Sequence, residues 1–375
     1  MEGLLGVPAT EGNQVDVLRN GDEIFPAMLD AIGAARQTID LLTFVYWSGA
    51  IGRRFAEALS GKAGEGVRVR VLLDAVGSGD IDDEYVSMMD SAGCDVRKFR
   101  PVKKGSLGEV NHRTHRKVVI CDEELAFTGG VGIADEWQGD ARNEGEWRDT
   151  HFRLKGPAVD GLRAAFVDNW AETGGDFFDL DIDRFPDQPQ PGTYVVQTVR
   201  GAAETGWSDV STMFRALVTL ADERLRITTA YFNPDDHLLE LLCAASARGV
   251  DIEVLLPGPH ADKRFVQLTS EQVYETLLEA GIVVWNFTPS MLHAKVMTVD
   301  GAIACIGSAN LNNRSTQFDE EVNLVVFEPE LVEVLDRHFA EDLERSEQLD
   351  LARWRDRGLL QRAAEKTAAA VKKVI

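Results

Sequence analysis

The chain has 375 residues, 44 % of them hydrophobic and 27 % charged; that is material for one large core or two of ordinary size, and it excludes a disordered chain. Acidic residues outnumber basic ones 62 to 39, a formal net charge of −23, which argues against a nucleic-acid partner and against adhesion to an anionic bilayer unless a local basic patch overrides the overall field. The four cysteines, Cys94, Cys121, Cys243 and Cys305, form no C-x-x-C pair and no cluster of zinc spacing, so neither a metal nor another cofactor is expected.

Met1–Leu5 has no basic stretch followed by an apolar run, so no signal peptide is expected, and no apolar run reaches 18 residues. The expected location is cytoplasmic, with any lipid contact peripheral, at the inner face of the cell membrane. A strand is predicted over 38–46, a helix over 51–64, a strand over 66–74 (GVRVRVLLD) and a further strand over 94–99. The same order returns in the second half: a strand over 225–232, a helix over 235–248, a strand over 249–257 (GVDIEVLLP) and a strand over 282–287. Strands alternating with helices, twice over, predict an α/β fold of two similar α/β/α lobes with mixed sheets. The Pro-rich run 186–192 (PDQPQPG) marks the boundary. The expected division is 1–190, 191–345 and a C-terminal helix over 346–375.

Each half carries one H-x-K-x-x-x-x-D pattern: His115, Lys117 and Asp122 in the first, His293, Lys295 and Asp300 in the second. Fourteen residues after each histidine stands a glycine, Gly129 or Gly307, followed by Gly130 or Ser308. One such pattern is weak; two at equivalent places in a duplicated chain are specific. Histidine and lysine two residues apart on a strand share a face. Histidine works as nucleophile or proton donor near neutral pH, and a lysine beside it supplies positive charge to phosphoryl oxygens. Two such units make a pseudo-two-fold site in which one histidine attacks phosphorus and the other protonates the leaving oxygen, through a phosphohistidine. Asp122 and Asp300 complete the two signatures and read as structural hydrogen bonding or charge balance. Ser308 and Asn310, and Gly130 at the matching turn, are the candidate phosphate-binding positions. An acid lies about thirty residues after each histidine, Asp149 and Glu321, able to accept from a ring nitrogen and hold its tautomer.

These paired motifs resemble those of the phospholipase D superfamily. The flanking text, including Leu72–Ser78, Trp147-Arg148-Asp149-Thr150, Ala230-Tyr231-Phe232 and Gly307-Ser308-Ala309-Asn310, is similar to cardiolipin synthases over about residues 15–345. The resemblance implies two lobes with the active site between them and ping-pong phosphatidyl transfer, with phosphatidylglycerol as substrate. It also implies His115 as nucleophile, His293 as acid then base, and Lys117, Lys295 and Asn310 as phosphate ligands. The chain resembles the shorter members without N-terminal membrane helices. It departs from the pattern at Gly132, where the family has an asparagine matching Asn310; the expectation is a lost donor and vacant space. Hydrolytic phospholipase D is the nearest rival, since the same residues would serve water. A nuclease and a non-enzymatic lipid-binding protein are more distant ones. From Asp350 to Ile375 seven Arg or Lys face three acids, with apolar residues at helical spacing, a pattern that can lie on an anionic membrane or pack on the chain's own acidic body.

Overall fold

The computed structural model describes residues 1–101, 111–175, 186–201, 208–262 and 264–356, with the side chains of 264–267 and 269 left aside. The first half supplies β1 (Thr10–Arg19), β2 (Thr38–Thr43), β3 (Arg68–Asp74), β4 (Asp95–Phe99), β5 (Val118–Cys121), β6 (Leu125–Gly129) and β7 (Thr150–Lys155). The second supplies β8 (Tyr194–Gly201), β9 (Arg224–Thr228), β10 (Asp251–Pro257), β11 (Val283–Phe287), β12 (Val296–Val299), β13 (Ile303–Gly307), β14 (Glu321–Phe327) and β15 (Ser346–Gln348).

The strand order is β15-β11-β10-β9-β12-β13-β14-β8-β1-β7-β6-β5-β2-β3-β4. Apart from β15 it reads the same from either end: β1 to β7 and β8 to β14 follow one plan. The two copies meet where β1 pairs antiparallel with β8. In each copy the helix-linked strands are parallel, β2 with β3 and β3 with β4, β9 with β10 and β10 with β11, while the hairpin strands beside them are antiparallel. That is the mixed sheet expected of βαβ units followed by hairpins.

The helices Ala50–Gly64 and Asp236–Ala247 match the predicted ones to within a residue. Both strands before them are shorter than predicted, ending at Thr43 and Thr228. Each chain then leaves the sheet through a turn in which a threonine hydroxyl donates to a carbonyl two residues on, Thr43 to Val45 (2.9 Å) and Thr229 to Tyr231 (3.2 Å). Phe44 and Tyr231, read from the sequence as strand, therefore line a cavity instead.

Each half has its own apolar cluster, around Ile39, Phe55 and Val71 and around Leu225, Leu242 and Val254. A third joins them: Phe152, Leu162 and Phe166 of the first half pack with Ile306, Leu324 and Leu335 of the second. The two halves thus share part of one core. The expected C-terminal helix begins differently, because Ser346–Gln348 pairs with β11 as an edge strand and Leu351–Arg355 forms a five-residue helix. The rest, 357–375, lies outside the described residues. No helix among the described residues is long and apolar enough to cross a membrane.

Candidate active site

His115 and Lys117 lie in an extended segment just before β5, His293 and Lys295 in its counterpart before β12, rather than inside the strands. Each lysine folds back on its own segment: the Lys117 ammonium donates to the His115 carbonyl at 2.7 Å and lines the cavity with that histidine, while the Lys295 ammonium donates to the His293 carbonyl and lies 3.0 Å from His293 Nδ1, outside the cavity lining. The intervening Arg116 points away and donates to the carbonyls of Ala165, Gly201 and Glu321.

The histidine segments are locked to the opposite half by isolated bridges, Thr114 with Glu320 and Arg148 with Leu292. The His115 N–H donates to the Glu320 carbonyl at 2.9 Å, and the His293 N–H to the Arg148 carbonyl at 2.7 Å. The residue after each bridging partner is an acid, and the pairing crosses between halves. His115 Nδ1 lies 3.0 Å from Glu321 Oε1, and His293 Nδ1 lies 2.8 Å from Asp149 Oδ2. Sequence spacing identifies both acids but not which histidine each serves. Their equivalence appears in the register: Gly129 pairs with His151 and Gly307 with Asn323, which puts Asp149 and Glu321 two residues before matching positions. Gly129 and Gly307 have φ of 153° and 152°, and a Cβ there would come within 2.8 Å of the Thr150 carbonyl oxygen and 2.4 Å of that of Val322. Only glycine turns the chain there at no steric cost.

The turn after each glycine differs. The Ser308 hydroxyl donates to Glu321 Oε2 at 2.5 Å. Gly130 offers no side chain; a Cβ there would lie 2.3 Å from Asp149 Oδ1, so the glycine makes room for that carboxylate. Asp149 accepts instead from the Thr150 N–H (2.7 Å) and the Trp137 indole N–H (2.8 Å). Asn310 is buried, lines the cavity, and is tied down by its N–H to Ser315 Oγ at 3.1 Å.

Asp122 and Asp300 are not brought to the cavity. Each has φ of 51° and turns its carboxylate onto three backbone N–H groups, those of Arg36, Gln37 and Thr38 for Asp122 and of Asp222, Glu223 and Arg224 for Asp300. They cap the turns entering β2 and β9.

Gly132 overturns an expectation. The space beside it is filled: a Cβ would lie 2.7 Å from Val45 Cβ and 3.3 Å from the Trp137 ring. The position is closed by packing.

The two histidines, Lys117 and Asn310 line one cavity of about 270 Å³. Its walls contain residues that motif reasoning did not single out. Trp137 stands edge-on to His293 at 5.2 Å between ring centres, with Trp147 at 5.6 Å and Tyr231 at 6.2 Å, while Phe44 abuts His115 at 5.2 Å. Trp147 and Tyr231 stood in the text that resembles cardiolipin synthases; nothing in the sequence marked Trp137 or Phe44.

Burial dominates the electrostatics. It pulls the His115 imidazole down to about 4, against the attraction of Glu321 and helped by Lys117 and Lys295. Burial would raise Glu321, but His115, Lys117 and the Ser308 hydroxyl together hold it at about 2. Burial thus favours the neutral His115 ring, and the tautomer that turns its Nδ1–H to the Glu321 carboxylate presents Nε2 as the nucleophilic nitrogen. Burial also lowers Lys117 to about 8 and Lys295 to about 7, and raises Asp149. Among the described residues no group of three or more His, Cys, Asp or Glu is arranged to hold a metal ion.

The family model described as cardiolipin synthase, PLD-like domain, matches residues 28–139 and 214–343, one stretch for each motif. This chain belongs to that family. Cardiolipin synthase 2 of Bacillus anthracis is 34 % identical over 93 % of the chain and 68 % of its own length. Cardiolipin synthase of Geobacillus kaustophilus is 33 % identical over 96 % of the chain and 72 % of its own. In three dimensions the phosphatidylserine synthase of Haemophilus influenzae superposes with a TM-score of 0.76 over 100 % of this chain and 96 % of that one, at 15 % identity, which shows a shared fold.

Proposed function

We propose that the chain is a phosphatidyltransferase of the cardiolipin synthase type, working on phosphatidylglycerol through a phosphohistidine. The observation that carries this is the crosswise pairing of two buried histidines with two buried carboxylates at a single cavity. His115 Nε2 attacks phosphorus in line with the departing glycerol oxygen, forming the P–N bond as the P–O bond breaks, and His293 gives its proton to that oxygen. In the second half-reaction His293 takes the proton from an incoming hydroxyl, whose oxygen displaces His115. Lys117, Lys295 and Asn310 hold the phosphoryl oxygens, and Glu321 and Asp149 orient the rings. Residues 1–190 and 191–345 act as two lobes contributing one motif each, and the protein meets its lipid peripherally, from the cytoplasmic side.

The test is a His293→Ala variant given an activated aryl phosphodiester, whose departure needs no acid. Intact-mass measurement is expected to find a phosphoryl adduct mapping to His115. An adduct on His293 in a His115→Ala variant would reverse the roles. Product analysis with and without glycerol separates transfer from hydrolysis.

A further inference from the structure

The pseudo-two-fold is broken beside the cavity in a way that distinguishes its two ends. Val45 and Tyr231 occupy matching places, each two residues after the threonine whose hydroxyl holds its carbonyl. Val45 is buried and packs over Gly132. Tyr231 carries a phenol on the His293 side, and its hydroxyl donates to Asp262 Oδ2 at 2.7 Å. Asp262 lies in the loop after β10 and, with Tyr231, lines the same cavity as His293. Burial, reinforced by Asp262, raises the Tyr231 phenol well above its ordinary value, so it stays a donor. One carboxylate oxygen is thus fixed by the phenol, and among the described residues Oδ1 is given no hydrogen-bond partner. A carboxylate so placed accepts hydrogen bonds and offers none.

We propose that Asp262, positioned by Tyr231, is the specificity residue for the alcohol: it accepts hydrogen bonds from the free hydroxyls of a polyol whose reacting oxygen lies at His293. The inference rests on the phosphatidyltransfer reading and deepens it. The alcohol that leaves in the first half-reaction and the one that enters in the second both exchange a proton with His293, so one polyol subsite serves both. For a glycerol head group the hydroxyls not bonded to phosphorus are the donors that Oδ1 lacks. The matching position in the first half, Val45, has an apolar side chain that packs over Gly132, so the cavity has one such acceptor and not a symmetric pair.

The experiment compares the unaltered protein with Asp262→Ala, Asp262→Asn and Tyr231→Phe in two arms. The donor arm measures kcat/KM for release of the head group from short-chain phosphatidylglycerol, phosphatidylpropanol and phosphatidylcholine. The acceptor arm measures transfer to glycerol against 1-propanol. Because hydrogen bonds to a charged group are among the stronger ones, Asp262→Ala is expected to cut the preference for the glycerol over the propanol compound at least about tenfold in both arms. Tyr231→Phe moves it the same way by less. Equal losses on glycerol and propanol compounds would overturn the proposal. So would a loss confined to phosphatidylcholine, which would make Asp262 an ammonium site. If the unaltered protein forms only hydrolysis products, the transfer reading fails, and the donor arm still decides whether Asp262 reads hydroxyls.

Discussion

His115 and Lys295 set opposite limits on pH. A nucleophile must be neutral, and burial together with the nearby lysines brings His115 down to about 4, so activity rises as pH climbs through that value. The lysines must be charged, and burial lowers Lys295 to about 7 and Lys117 to about 8, so phosphate binding weakens as pH passes through that window. The expectation for kcat/KM on a small phosphodiester is a bell with an acid limb near 4 and an alkaline limb at about 7–8. A profile flat to pH 10 would show that neither lysine charge is needed. At Gly132 the structure reverses the sign of a sequence-based expectation. An asparagine there would not restore a donor; its Cβ would strike Val45 and press on Trp137, which bonds Asp149. Overpacking of this kind costs about 1–3 kcal/mol, so Gly132→Asn is expected to lower both the melting temperature and kcat. A variant more active than the parent, with unchanged melting, would mean that Val45 moves aside freely.

At the scale of elements, the two aspartates of the H-x-K-x-x-x-x-D patterns belong to the scaffold. Each satisfies three N–H groups that would otherwise be left over where the chain enters β2 or β9. Losing a carboxylate that satisfies backbone N–H groups in this way costs on the order of 0.5–2 kcal/mol, as at a helix N-cap. Asp122→Ala and Asp300→Ala are therefore expected to melt earlier while retaining most of kcat at a temperature where they remain folded. Burial works against ionised Asp300, but the three N–H donors more than offset it and hold its carboxyl below the ordinary value. A depressed carboxyl stabilises above its unfolded value, near 3.8, and that stability disappears as pH falls through the folded one. The gap between parent and Asp300→Ala should thus close below about pH 4. A large loss of kcat with unchanged melting would place these carboxylates in the chemistry instead. The element scale also shows what could be read beforehand. Period-2 runs such as 68–74 and 251–257, both with glycine before them, were plain in the sequence, and so were the duplicated motifs. The ends of β2 and β9 were not: Phe44 and Tyr231 look like strand residues, and only the threonine-to-carbonyl turns redirect them into the cavity. The crossing of Glu321 to His115 and Asp149 to His293 was equally hidden, because spacing along the chain carries no information on which half a side chain faces across a shared core.

On the scale of the whole molecule, charge and function pull against each other. On the function proposed above, a chain of net −23 would work on a phosphodiester set in an anionic bilayer, and its field would repel that surface over roughly one Debye length, about 8 Å at physiological salt. The cavity cannot supply the attraction, since the charged residues of its wall beyond Lys117 are Asp80, Asp262, Asp319 and Arg314, and Asp319 is occupied with Arg314 at 2.9 Å. The basic excess that is left lies at the end of the sequence. Between residues 357 and 375 stand Arg357, Arg362, Lys366, Lys372 and Lys373 against the single acid Glu365. Near an anionic surface each Lys or Arg is worth about 1 kcal/mol, enough for reversible docking and too little for permanent attachment. Sedimentation with vesicles rich in phosphatidylglycerol is the direct measurement. The full chain is expected to bind at low salt and to let go as salt rises, while a chain ending at Asp356 should stay in the supernatant throughout, yet keep its rate on a soluble phosphodiester. Adding salt should then help the shortened chain slightly, by screening the repulsion of its body, and hurt the full one. Vesicle binding that survives the truncation would move the membrane contact onto the acidic body, to apolar residues at the cavity rim such as the exposed Val76, and binding would then be indifferent to salt.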